Sequence, residues 1–144
     1  MSTEENKALA RRVIVDAING RRLDLLDEVI ADDYVEHAMP GGGIGGRDDL
    51  KQTIRMILDG FSDFQYTIDG ELGDGDLIAD RLTATGTHDG AFFEIPPTGK
   101  HISWQEMHMG RIAGGKFVEH WANVDMLRIM QQLGVIPAPE HASA

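Results

Sequence analysis

Residues 101–125, HISWQEMHMGRIAGGKFVEHWANVD, indicate the fold most clearly, because two runs of alternating side chains flank a pair of glycines. Two such runs joined by Gly114 and Gly115 predict a β-hairpin with a two-residue turn. Successive side chains of a strand point to opposite faces of the sheet, so this register predicts which residues share a face. One face then pairs Trp104 with Asp125, Glu106 with Asn123, His108 with Trp121 and Gly110 with Glu119.

The predicted face mixes three carboxylates and a histidine with two indoles. Large indoles are seldom left exposed, and carboxylates are seldom buried without a partner, so neither a solvated surface nor a sealed core fits this mixture. A partly wet pocket fits it. The alternative is that Trp104 and Trp121 belong to the core while the carboxylates reach solvent at strand ends or pair with Arg81 or Arg111.

The rest of the chain predicts helices first and strands afterwards. Apolar residues at spacings of three and four predict helices over residues 3–18, 23 to about 31 and about 48–58, with 32–37 leading into a loop. Alternation with β-branched residues predicts strands over 64–68, 77–87, 101–112 and 116–125, and a last helix follows over 126–133. Helices grouped before hairpins predict an α+β fold, one domain over 1–144, with the helices on one face of an antiparallel sheet.

Charge and composition narrow the function classes. The net charge is -11 and the 13 Lys and Arg residues are scattered, which disfavours nucleic-acid binding and binding to an anionic membrane. The chain has no cysteine, so thiolate chemistry and cysteine-ligated metals are excluded. The first seven residues lack the pattern of a signal peptide, and no run approaches the ~20 apolar residues of a membrane helix. A cytoplasmic protein is predicted.

Two patterns suggest a cofactor or a metal at first sight. The run Gly41–Gly46 matches the spacing of a dinucleotide fingerprint, but that pattern carries weight only after a strand and inside a βαβ unit, and no such unit is predicted. The pairs Glu36-His37 and Glu119-His120 do not provide two metal ligands at the i, i+4 spacing of a helix. The predicted site therefore needs no cofactor and no metal.

Several motifs spread over nearly the whole chain carry a family resemblance. They are DYVEH at 33–37, GTH at 86–88, IPPTGK at 95–100, GKFVEHW at 115–121, and Asp125 followed by QQLG at 131–134. Together they resemble the SnoaL-like polyketide cyclases, the "ester cyclase" group of the NTF2-like superfamily. The resemblance implies a cone, in which a strongly curved antiparallel sheet wraps around the N-terminal helices and encloses a deep pocket.

The resemblance also implies a chemistry. In the characterised cyclases an aspartate matching Asp125 is the acid/base group for an intramolecular aldol ring closure of a polyketide ester, without metal or organic cofactor. Relatives on the same fold open epoxides, close ether rings, isomerise steroids, hydroxylate or only bind, so the fold alone leaves the reaction open. The implied substrate is a small, largely apolar metabolite, polyketide-like or terpenoid.

Asp125 is therefore the predicted catalytic carboxylate. Burial near Trp104, Trp121 and Val124 would raise its pKa, and His108 or Asn123 would orient it. His37 and His88 are candidate second proton carriers, since histidine titrates near neutrality, although a surface or capping role fits each of them too. Tyr34, Tyr66 and Phe92 are candidates for the pocket wall or the core. His101, His120 and His141 are predicted to be structural or exposed.

Three function classes remain open from the sequence. The first is a cyclase or isomerase using acid/base catalysis. The second is an epoxide-opening hydrolase or ether-forming cyclase, in which Glu106 or Glu119 would activate water. The third is a non-catalytic binding protein, which the desolvation cost of three pocket carboxylates argues against.

An oligomer is predicted from the hairpin face opposite the pocket. An uncovered apolar patch on a sheet predicts a homodimer or a higher even oligomer, since soluble monomers seldom expose one. The patch consists of Met107, Met109, Val118, Ala122 and Val124.

Overall fold

A computed structural model describes residues 2–140, which form an α+β fold. His141, which was predicted to be structural or exposed, lies outside the described residues. The helices are α1 (Thr3–Arg11), which continues as a π-helical segment (Arg12–Asn19), α2 (Leu26–Val29) after a 3-10 turn (Leu23–Leu25), α3 (Arg47–Gly60) and α4 (Met126–Leu133). The strands are β1 (Ile30–Glu36), β2 (Gln65–Asp74), β3 (Leu77–Thr87), β4 (His101–Ala113) and β5 (Lys116–Val124). Within residues 2–140 no helix has the length and apolar character needed to span a membrane.

The predicted architecture is confirmed: helices precede a curved sheet of five strands in the order β1-β5-β4-β3-β2. Strands β2 to β5 form an antiparallel meander, as predicted. Strand β1 was missed, because residues 32–37 were assigned to a loop. It pairs in parallel with β5, and Asp32 and Asp33 at its exposed positions hide the inward alternation of Ile30, Tyr34 and Glu36.

The helices cover the concave face of this sheet and bury its apolar side chains. Phe61 and Phe64 at the end of α3 and before β2 are fully buried, together with Ile78 and Leu82 of β3. Helix α4 places Ile129 in the same core and ends at Gly134, whose φ of 82° is the left-handed conformation that glycine adopts without strain.

The turn of the β4–β5 hairpin is the one predicted, but its register is not. Gly114 and Gly115 both have positive φ and join Ala113 to Lys116. A β-bulge then adds Val118 to β5, since Ile112 pairs with Phe117 while Arg111 pairs with Glu119. One extra residue turns every later side chain of β5 to the other face of the sheet.

The predicted cross-strand pairs are therefore wrong beyond the bulge. Gly110 pairs with His120, His108 with Ala122 and Glu106 with Val124. The described ladder between β4 and β5 ends there, so Asp125 does not lie opposite Trp104. On β4 the predicted inward face is correct, and Trp104 and Glu106 are both buried.

Candidate active site

A cavity of about 750 Å³ lies between the concave face of the sheet and helices α1, α3 and α4. This volume falls within the range of roughly 300–1,000 Å³ that is common for small-molecule sites. Most of its wall is apolar, with residues such as Ile14, Ile54, Phe92 and Ile129 contributing from the helical side and the loop after β3. The polar groups lie mainly on the sheet, so the cavity has one polar wall.

A chain of four hydrogen-bonded side chains crosses that wall. Glu36 of β1 bonds to His120 Nδ1 of β5, with Oε1 at 2.7 Å. His120 Nε2 lies 2.8 Å from His108 Nδ1 of β4, and His108 Nε2 lies 2.7 Å from Glu106 Oε1. The two imidazole rings are stacked with their centroids 5.0 Å apart. The parallel pairing of β1 with β5 brings Glu36 into this chain.

Both carboxylates at the ends of the chain accept further hydrogen bonds. Glu106 accepts from the Tyr66 hydroxyl at 2.7 Å and from the Trp104 indole N–H at 2.6 Å. Burial raises the pKa of Glu106, but the bond and charge of His108 and these two donors more than offset burial, so the pKa lies below its usual value.

Glu36 is stabilised as an anion in the same way. The Tyr34 hydroxyl and the backbone N–H of Ala38 donate to it at 2.5 and 2.9 Å. Burial raises the pKa of Glu36, while His120, Tyr34 and Ala38 together lower it by a larger amount. Desolvation and the charge of Glu36 in turn raise the pKa of Tyr34 far above its normal range, so this tyrosine stays a hydrogen-bond donor.

The geometry of this hydrogen-bonded chain of four side chains determines how many protons it contains. Each of its three hydrogen bonds needs one proton, and a 2.8 Å contact between two ring nitrogens places one proton between His108 and His120. With Glu36 and Glu106 as carboxylate acceptors, three protons on the four ring nitrogens satisfy all three bonds, and the two imidazoles then share one positive charge. This arrangement holds a cation in the wall of an apolar cavity.

Asp80 of β3 lies beside this chain, opposite His108 on the neighbouring strand. The residue is 7% exposed and lines the cavity. Burial raises its pKa to about 7, and the hydrogen bond and charge of Glu71 act in the same direction, against smaller effects of His108 and Arg11. Asp80 is therefore present in both protonation states near neutral pH.

Six of the predicted site residues line the cavity: Tyr34, His37, Trp104, Glu106, His108 and Asn123. Tyr66 and Phe92, predicted for the wall or the core, also line it. The roles of these residues stay predictions. Five of them reach the cavity through the correctly predicted inward face of β4 and the position of residues 34–37 beside β5, whereas Asn123, near the end of β5, lines the cavity although its predicted register was wrong.

Glu119, Trp121 and His88 are not among the cavity-lining residues. Glu119 forms an ion pair with Arg111 and bonds to His37 Nε2 at 2.8 Å, and Trp121 stacks on the His37 ring at 5.0 Å. The bulge at Val118 explains this position, since it moves both side chains to the other face of β5. His88 is fully buried against Phe61 and accepts from the backbone N–H of Thr98 at 3.2 Å.

Asp125 also lies outside the cavity wall, in an exposed position. Its Oδ1 accepts the backbone N–H of Arg128 at 3.1 Å, so the side chain caps the N-terminus of α4. The expected burial between two indoles is wrong, because it depended on the unbulged register. The hydrogen bonds of Asp125 instead explain why α4 begins at Met126.

The three residues that the sequence analysis missed are Glu36, Asp80 and His120. His120 was assigned a structural role because the bulge was not foreseen, and Glu36 because β1 was read as a loop. The signal for Asp80 was present: β3 alternates inward with Ile78 and Leu82 on either side of this single aspartate. A carboxyl group at an inward position of an apolar strand is itself an indication of function.

The residues that suggested cofactor sites have other surroundings. The glycine run at 41–46 follows β1 and precedes α3, but α3 leads to β2 at the opposite edge of the sheet, so no βαβ crossover forms. Within residues 2–140 no group of three or more His, Asp or Glu side chains is arranged to hold a metal ion.

Known proteins resemble the chain over most of its length. It is 29% identical over 123 residues to nogalonic acid methyl ester cyclase of Streptomyces nogalater, covering 84% of this chain and 92% of the relative. It is also 29% identical over 147 aligned residues to aklanonic acid methyl ester cyclase of Streptomyces peucetius, covering 97% of both.

A solved structure is similar to this chain over nearly its whole length. AclR of Streptomyces galilaeus, a proposed hydroxylase, superposes with a TM-score of 0.88 at 27% identity, over 99% of this chain and 88% of that one. A family model described as SnoaL-like polyketide cyclase matches residues 8–133, and the chain belongs to this family of enzymes.

Proposed function

We propose that the protein closes a carbon ring in a small polyketide methyl ester by acid/base catalysis within the cavity. One observation carries the proposal: an apolar cavity of about 750 Å³ has a single polar wall, in which a chain of hydrogen bonds fixes a positive charge. Two relatives named as cyclases of methyl esters support this substrate class.

The chemistry of ring closure matches the arrangement of the site. Forming a carbon–carbon bond next to a carbonyl needs a base for an acidified C–H, an acid for the resulting alkoxide, and a dry cavity that orients the reacting carbons. The apolar helical side of the cavity supplies the last. The charge shared by His108 and His120 supports the oxygen on which negative charge develops, and it needs no reorganisation because both rings are already held.

In this proposal His108 is a catalytic residue that acts electrostatically, whereas the sequence predicted that it would orient Asp125. Trp104 and Glu106 act beneath it, the first by donating to the second and the second by holding the ring of His108. The catalytic role of Asp125, the independence from cofactors and the cytoplasmic location stay predictions.

The experiment is an assay of purified protein with the methyl esters of aklanonic and nogalonic acid, with products identified by mass spectrometry and NMR. A cyclised isomer of unchanged mass is expected. His108→Gln should lower kcat by about 100-fold, in the range for removal of one group that stabilises an oxyanion. His101→Gln is the matched control, because His101 is exposed on the same strand.

Other outcomes would contradict the proposal. Products that gain the mass of water would favour the epoxide-opening alternative, and ligand binding without conversion of either ester would favour a binding protein. Full activity of His108→Gln would remove the histidine chain from the mechanism.

A homodimer formed through the outer face of the sheet is the second part of the proposal. Met107 and Met109 of β4 are 54% and 41% exposed, and Trp121 pairs with Met109 across β5. The predicted patch changes in composition, because Ala122 and Val124 line the cavity instead. Light scattering should give twice the mass of one chain, and Met109→Glu should reduce it by burying an unpaired charge. A wild-type protein with the mass of one chain would contradict the dimer.

A further inference from the structure

Asp80 differs from the other carboxyl groups of the cavity because no N–H or hydroxyl group of the described residues donates a hydrogen bond to it. Asp80 lines the cavity, and within residues 2–140 its buried Oδ1 accepts no bond from an N–H or hydroxyl donor. Glu36 and Glu106, in contrast, receive donors from tyrosine, histidine, indole or backbone on both of their oxygens. A base must offer a lone pair to the proton that it removes, and of these three carboxyl groups Asp80 is the one whose oxygens are not occupied by N–H or hydroxyl donors of the described residues.

A neighbouring carboxyl group, Glu71, shares a proton with Asp80. Its cross-strand partner on β2 is Glu71, whose Oε2 is likewise buried without a donor in the described part of the chain. The two side chains are hydrogen-bonded to each other, which requires a proton on one of them. The pKa of Asp80 is the one that is raised, which assigns this proton to Asp80, while Arg11 binds Glu71 Oε1 at 3.0 Å.

We infer that Asp80 is the carboxyl group that removes a proton from the substrate and returns it during ring closure. This inference rests on the proposed function and names the residue that performs its proton transfers. The charged and titratable groups facing Asp80 are Glu71 on β2, Arg11 on α1 and His108 on β4.

The proton transfers balance without another reactant. The Asp80 carboxylate takes a proton from the carbon activated by neighbouring carbonyls, and the electron pair of that C–H bond passes into an enolate. The enolate carbon bonds to the second carbonyl carbon, whose π electrons move to its oxygen. Asp80 then gives its proton to that oxygen and is a carboxylate again, while the charge shared by His108 and His120 supports the oxygen in between.

Glu71 has a positioning role in this scheme. Its negative charge and its hydrogen bond favour the protonated form of Asp80, and burial adds to them, so that the pKa of Asp80 is about 7. A group with a pKa near the working pH is available both as a base and as an acid, which is the condition for acting in the two steps in turn.

The test follows proton removal alone, by the exchange of the C2 hydrogens of methyl 3-oxobutanoate for deuterium in D₂O, measured by NMR. The wild-type protein should accelerate exchange over buffer, and Asp80→Asn should lose at least about 100-fold of the enzymatic rate. The asparagine amide can still donate to Glu71, which favours an intact fold, and circular dichroism checks it. Asp74→Asn, exposed on β2, is the control and should exchange at the wild-type rate.

A second measurement separates catalysis from a structural role. The carboxyl carbon of Asp80, followed by NMR, should titrate near pH 7, and Glu71→Gln should lower that midpoint and move the acidic limb of the exchange profile with it. Exchange by Asp80→Asn at the wild-type rate, no exchange by the wild type, or titration of Asp80 near the value of a free carboxyl, ~3.9, would overturn the inference. Exchange that depends on Asp80 without ring closure of any polyketide ester would contradict the proposed function and leave the inference standing.

Discussion

Glu106 and Asp80 lie in the same cavity wall, yet the protein holds them in opposite states. Both are at least nine-tenths buried. Asp80 on β3 pairs with His108 on β4, and Glu106 lies two residues before His108 on β4. Glu106 receives three donors and its pKa is lowered, whereas Asp80 faces a second carboxyl and its pKa is raised to about 7. Burial acts on both in the same direction, so the donors make the difference.

This difference separates structural support from chemistry. A carboxylate with every oxygen engaged is a fixed charge that positions its neighbours, and here Glu106 holds His108. A buried carboxyl with an unsatisfied oxygen lowers the stability of the folded protein, and such groups are found mainly at functional sites. The contrast between Glu106 and Asp80 predicts opposite changes in stability, with the largest at Glu106.

Replacing Glu106 should destabilise the protein most. Glu106→Gln removes the charge that three donors share and turns an amide N–H towards at least one of them. Breaking a buried charged network of this kind costs about 3 kcal/mol. Urea unfolding at pH 7 measures the change, with Glu94→Gln as an exposed control. A loss below 1 kcal/mol would remove the structural role assigned to Glu106.

Replacing Asp80 should have the opposite sign. A carboxyl whose folded pKa is raised loses stability as the pH rises from its unfolded value through about 7, because the unfolded state releases its proton first. Asp80→Asn removes that loss and should raise the free energy of unfolding by about 1 to 3 kcal/mol at pH 8, with a smaller change at pH 5. Equal effects at both pH values would contradict the raised pKa.

Acid should reveal the lowered carboxyls. The stability that Glu36 and Glu106 contribute is present above their unfolded pKa and is lost as the pH falls through their lower folded values. Below about pH 4.5 the free energy of unfolding should therefore decrease less steeply with falling pH for Glu106→Gln than for the wild type. The two slopes should differ by up to about 1.4 kcal/mol per pH unit. Parallel curves would show that Glu106 is not an acceptor of the kind described.

The smallest effect is expected at Asp125. Asparagine caps helices as well as aspartate does, so Asp125→Asn should change stability by less than about 0.5 kcal/mol, and Asp125→Ala should cost about 1 kcal/mol. Thermal unfolding of both variants measures this. A much larger loss in Asp125→Asn would point to contacts other than the cap of α4.

The sequence predicted the layers of the fold because periodicity is local. The strand over 77–87 and the last helix over 126–133 match β3 and α4 in both bounds. The segment at 30–36 could not be recognised, since a parallel edge strand containing two aspartates and a buried glutamate lacks the apolar alternation of an ordinary strand.

The site was predicted in part, and one residue accounts for much of the error. Trp104, Glu106 and His108 were placed correctly, because the phase of β4 follows from the glycine turn. The bulge at Val118 has no strong sequence signal, and it exchanged the inward set of β5, bringing His120 in and turning Trp121 out. The same error placed Asp125 in the pocket wall, whereas it is exposed, and Asp80 was not considered although its inward position on β3 was readable from its neighbours.

Ring closure by Asp80→Asn and Asp125→Asn, measured side by side with the same polyketide methyl ester at pH 7, decides which of the two carboxyl groups transfers the proton. We expect kcat to fall by at least about 100-fold for Asp80→Asn and to stay within about twofold of the wild type for Asp125→Asn, since of these two groups only Asp80 lines the cavity. The reverse result, with Asp80→Asn active and Asp125→Asn inactive, would contradict this expectation and return the acid/base role to the cap of α4.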